Sequence, residues 1–143
     1  MSQKTASELS IIQPQGWARA RGLSYGIMGE HRAQLCISGQ LAGETGASAP
    51  PKDMGFVEQF CRCLQHVVTV VESAGGRATD IAALRVFVTD IGAFKAGQPQ
   101  IAEAWRRIMG RHFPAMTMVE VSALFEETAL VEIEGSALLQ IEG

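Results

Sequence analysis

The sequence predicts an α/β sandwich: one mixed β-sheet with two helices on one face, built as a single domain over residues 1–143. Two observations predict it. Apolar residues recur with strand-like and helix-like periods in the order strand, strand, helix, strand, helix, strand, strand. No linker divides that series, because the only Gly/Pro-rich, weakly patterned stretch, LAGETGASAPP from Leu41 to Pro51, is short and reads as a surface loop. With 47% hydrophobic residues, a chain of this length buries a substantial core.

Residues 1–16 form an N-terminal extension, expected to be partly ordered. Its start, MSQKTASELS, is polar and lacks an apolar signal core, and no apolar run approaches the ~20 residues of a membrane span. A cytoplasmic protein without a membrane partner is expected. Ser24–Met28 and Gln34–Ile37 are short apolar segments joined by the charged, turn-like GEHRA, which suggests a β-hairpin ending at Gly39. From Phe56 to Ala74, Phe60, Leu64, Val67 and Val71 share a helix face, and Gly75-Gly76 stop it. Ile81–Thr89 alternates as a strand. The second helix carries Ile101, Ala104, Trp105, Ile108 and Met109, starts near Pro99 and ends at Gly110. Strands at Ala115–Leu124 and Ala129–Leu139 complete the order.

In HFPAMTMVEV, residues 112–121, alternation puts Met116, Met118 and Glu120 on one face and Thr117, Val119 and Val121 on the other. Phe87 likewise opposes Val86 and Val88. Helices cover only one face of such a sheet, so the other would be a large apolar patch unless another copy of the chain covers it. Self-association is therefore expected.

Composition excludes several classes. The net charge is −3 and the basic clusters, Arg19/Arg21 and Arg106/Arg107/Arg111, are small, so an electrostatically driven nucleic-acid partner is not expected. Cys36, Cys61 and Cys63 lack CxxC spacing, and residues 61 and 63 of a helix point about 200° apart. They read as reduced thiols. His31, His66 and His112 are scattered, which leaves no metal-ligand pattern.

Four blocks, ISGQ (37–40), RVFVTDIGAF (85–94), RHFPAMTMVEV (111–121) and LVEIEGSAL (130–138), resemble the Rid family, the RidA or YjgF-like reactive-intermediate deaminases, also labelled endoribonuclease or translation inhibitor. The resemblance runs from about Trp17 to Leu139. It implies a chorismate-mutase-like fold, a homotrimer with a central barrel, and small-molecule clefts between subunits. It also implies hydrolysis of imines derived from enamines, without metal or organic cofactor.

Carried over by position, the resemblance puts Ser38, Gly39 and Gln40 along the cleft and makes Glu132 the carboxylate that positions water. The family's carboxylate-gripping arginine is replaced by Met116. Leu23 stands where a tyrosine is usual, with Tyr25 close by; Trp17, nearby in the chain, reads first as a packing anchor and second as a stacking platform in a cleft-lining loop. Arg19 or Arg21 is a candidate replacement cation, although each also reads as an ordinary exposed loop residue. Glu132 by itself reads as a solvated or salt-bridging strand residue, as do Glu120 and Glu134. A thioether offers neither charge nor a fork of donors, so Met116 predicts a cleft for a less polar or larger ligand than 2-aminoacrylate. The alternative is a non-catalytic small-molecule binding or regulatory trimer.

Overall fold

A computed structural model describes residues 8–141. Its main sheet has four strands in the order β3 (Arg32–Gln40), β6 (Val131–Gln140), β4 (Ile81–Val88), β5 (Ala115–Glu120). β6 runs antiparallel to both neighbours and β4 parallel to β5, so the sheet is mixed as expected. A parallel pair needs a crossover, and here it is helical.

The helix α1 (Phe56–Ser73) and the crossover helix α3 (Gln98–Met109) pack on one face. That face is dry because alternation delivers Leu84, Val86 and Val88 from β4 and Val131, Ile133 and Ala137 from β6, all buried, against Phe60, Leu64, Val67 and Val71 of α1. The opposite face carries Arg85, Phe87, Thr117, Val119, Glu132, Glu134 and Ser136, none of them buried. It is uncovered in the single chain. Among the described residues, no helix is long and apolar enough to cross a membrane.

Three details differ from the sequence reading. The expected hairpin does not form: β2 (Gly26–Met28) pairs with a further strand, β1 (Ser10–Ile12), while β3 pairs with β6. The turn between β2 and β3 contains His31 at φ 52, a left-handed conformation that redirects the chain from one sheet to the other. A short helix, α2 (Ile91–Ala96), precedes α3; six residues are too few for a periodic signal, and only the Asp90 side chain, accepting from Ala93 N at 3.3 Å, marks its start. Finally, β5 ends at Glu120 rather than Leu124. Residues 1–7 of the extension lie outside the described residues, while β1 orders part of the rest.

Candidate functional site

Ser38 and Gly39 form a bulge. Ile37 pairs with Gly135 and Gln40 with Ile133, so two residues of β3 face the single Glu134 of β6. Gln40 braces the bulge from inside: it is buried, and its Nε2 donates to the Ser38 carbonyl at 3.0 Å and to Ser38 Oγ at 3.1 Å. Gly39 is required by what lies against it, since the Glu132 carboxylate occupies the place a Cβ would take. Glu132 thus rests on the bulge and, with Gly39, Phe87, Leu124 and Phe125, lines a concavity of about 360 Å³ on the uncovered face.

Glu132 differs from its neighbour two residues on. Glu134 accepts a hydrogen bond from Arg85 Nε at 2.8 Å, whereas no described cation lies within 4 Å of Glu132. Its charge is felt across the sheet by Cys63 on α1: burial pushes that thiol up to about 12, and the carboxylate adds to the rise. Cys61 is also raised, by burial first, with Arg107 opposing.

A second constellation lies at the start of β5. Ser24 N donates to the Pro114 carbonyl at 3.0 Å and Ser24 Oγ to the Phe113 carbonyl at 2.5 Å, with a parallel bridge from Ser24 to Ala115. These bonds fix Leu23 and Tyr25 beside Met116, and the three line one hollow. Tyr25 Oη donates to the Ala18 carbonyl at 2.8 Å, and its ring meets Trp17 edge-on at 5.1 Å. Trp17 therefore anchors the loop through Tyr25.

Met116 and Met118 pair with Leu84 and Val86, which puts both thioethers on the helix side of the sheet. There they border a cavity of about 290 Å³ walled by Phe60, Phe94, Ile101, Trp105 and Phe113, with Gln98 and Arg106 as polar elements. Trp105 stacks on Phe113 at 5.9 Å and 4°, its Nε1 donating to the His112 carbonyl, so the wall is held flat. Glu120, on the same side, serves structure: its carboxylate accepts from Ile91 N at 3.1 Å at the start of α2.

One chain does not unite the two constellations. Glu132 pairs with Phe87 and Met116 with Leu84, three residues apart along β4 (about 10 Å) and on opposite faces. Arg19 lines a smaller pocket with Tyr25 and Arg111, Arg21 is exposed and lines neither that pocket nor the aromatic cavity, and neither pairs with Glu132. His112 is engaged elsewhere, its Nε2 donating to the Ile81 carbonyl at 2.7 Å. Among the described residues, no three His, Cys, Asp or Glu side chains converge as a metal site. Sequence reasoning missed Phe60, Phe94, Gln98 and Phe113 as cavity walls and saw Trp105 only as part of the second helix's apolar series; apolar periodicity marks a buried face but not a gap in its packing. Alternation did give one signal, by placing Met118 with Met116.

The family model described as Endoribonuclease L-PSP matches residues 21–139. A RutC family protein of Haemophilus influenzae is 33% identical over 104 residues, covering 73% of this chain and 78% of that protein. Among solved structures, a protein of unknown function of the conserved Rid family, YyfB from Yersinia pestis, superposes with a TM-score of 0.77 at 25% identity, covering 93% of this chain and all of that one. The YjgF gene product of Escherichia coli gives 0.62 at 28% identity, covering 90% and 98%. With the matched segment taking in the Ser38-Gly39 bulge, Met116 and Glu132 alike, the chain belongs to the Endoribonuclease L-PSP family, that of the Rid and YjgF proteins.

Proposed function

We propose that this chain hydrolyses an imine or enamine bearing an apolar side group, in clefts completed between subunits of a homotrimer. The observation that carries this reading is the pair Met116 and Met118 facing an aromatic-walled cavity. Apolar walls stabilise an aromatic or branched side group, at about 25 cal/mol per Å² of apolar surface removed from water, and give nothing to a small charged imine. The separation of Glu132 from that cavity within one chain supports a site shared by two copies, because the uncovered face carrying Glu132 is the face a second copy would meet.

In this reading Glu132 accepts a proton from water as the water oxygen attacks the C=N carbon, and returns that proton to the nitrogen, which departs as ammonia. The resulting carbinolamine collapses to a carbonyl compound and ammonia, so no redox partner, metal or organic cofactor enters the balance. Glu132 suits the task because no described cation holds it. An RNA-cleaving role draws no support from an uncovered face on which Arg85 is taken up by Glu134 and Glu132 adds an unpaired negative charge among the described residues.

The test is ammonia release from freshly generated imines of phenylalanine and of dehydroalanine type. Turnover is expected to favour the aromatic imine and to fall at least a hundredfold in Glu132→Ala, and Met116→Arg is expected to shift preference toward the small substrate. A non-catalytic binding trimer is the second reading, favoured by the thioether at position 116. Inactivity of wild type and both variants would select it.

A further inference from the structure

Arg19 and Arg111 come from segments far apart in sequence, yet they line one pocket of about 210 Å³ with Tyr25 and Gln13. Neither guanidinium has a carboxylate within 4 Å among the described residues. Two like charges gathered without a counter-ion repel one another, and an anion between them relieves that repulsion. Other polar side chains of the pocket already donate within the fold: Tyr25 to the Ala18 carbonyl, Ser24 to the Phe113 carbonyl and Gln13, through one of its amide hydrogens, to the Trp17 carbonyl. The arginines are the pocket's charged groups.

This pocket adjoins the aromatic cavity. Gly22 and Phe113 line both. Gly22, at φ +73, has nothing within 4 Å of where a Cβ would stand, so no neighbouring atom crowds that shared position. The cavity, at about 290 Å³, is roughly twice the ~150 Å³ that accepts benzene in an apolar core.

We propose that the two cavities together form a site for an amphiphilic carboxylate, with its aromatic or branched body against Met116, Met118 and Trp105 and its carboxylate between Arg19 and Arg111. This rests on the reading that the aromatic cavity is the ligand site. It adds which residues select the anion: a guanidinium pair contributed by the N-terminal loop and by the segment just before β5. Arg106, on the last turn of α3, also lines the aromatic cavity and is the competing cation.

The test compares 3-phenylpropionate with its neutral amide, 3-phenylpropionamide, by isothermal titration of the full-length protein. Wild type is expected to bind the acid about tenfold more tightly. Arg19→Gln and Arg111→Gln are each expected to lower that preference, and the double variant to abolish it, with amide affinity unchanged; Arg106→Gln keeps the preference. Equal affinities in wild type, a preference that survives the double variant, or one lost in Arg106→Gln instead overturns the assignment while leaving the cavity as the ligand site. Failure of both probes to bind overturns the cavity reading and the anion assignment with it.

Discussion

Gly39 and Gly135 each have a neighbour where a Cβ would stand, but the neighbours differ in kind. At Gly39 it is the Glu132 carboxylate, the end of a flexible side chain; at Gly135 it is the Ala83 carbonyl, fixed in the β4–β6 ladder. Gly39→Ala is therefore expected to move Glu132 with little loss of stability, under about 1 kcal/mol, while abolishing the hydrolysis assigned to that carboxylate. Gly135→Ala must shift backbone and is expected to cost about 1–3 kcal/mol. Thermal melts of both variants, with turnover of the first, check this; equal melting temperatures would contradict it. Cys63 supplies a pH test. Its thiol rises from 9.0 to about 12 on folding, so its contribution to stability is complete below pH 9 and is lost as pH climbs from about 9 through about 12. The excess stability of wild type over Cys63→Ala is expected to shrink by up to about 1.4 kcal/mol per pH unit in denaturant titrations above pH 9, and a constant difference would contradict the assignment.

Among the elements, β6 carries Glu132, and Gln59 of α1 holds its start. Fully buried, Gln59 donates to the Met54 and Thr128 carbonyls and accepts from Leu130 N at 2.8 Å. Gln59→Leu keeps the shape but strands two carbonyls and an amide, so a loss of about 2–4 kcal/mol is expected in equilibrium unfolding. This brace was invisible in the sequence, where Gln59 is one of several polar residues in an amphipathic helix. The helices α1 and α3 and strands β4, β5 and β6 were legible because each has five or more residues in one period. The three-residue β1 and the six-residue α2 were not, and without β1 the segment at Gly26–Met28 looked like half of a hairpin with β3. The cleft residues divide similarly: alternation placed Met116 and Met118 together, whereas the pinning of Leu23 and Tyr25 to β5 through Ser24 depends on two hydrogen bonds to the Phe113 and Pro114 carbonyls that no periodicity encodes.

For the whole molecule, the uncovered sheet face and the split site lead to the same expectation. Phe87 and Val119 lie side by side on that face, and Phe125, 95% exposed, projects from the loop beside it. A second copy packed there would bury these side chains and bring its own surface to Glu132. Light scattering on the purified protein is expected to give the mass of three chains, and Phe87→Glu to give one. The most direct measurement is subunit complementation between Glu132→Ala, which loses the carboxylate, and Ala102→Trp, which fills the aromatic cavity from α3. Each alone is expected to be inactive. After mixing and subunit exchange, a site that takes its carboxylate from one chain and its cavity from another regains about a quarter of wild-type turnover, the share of random pairings with both parts intact. Turnover in the mixture no higher than in the two variants separately would contradict a shared site.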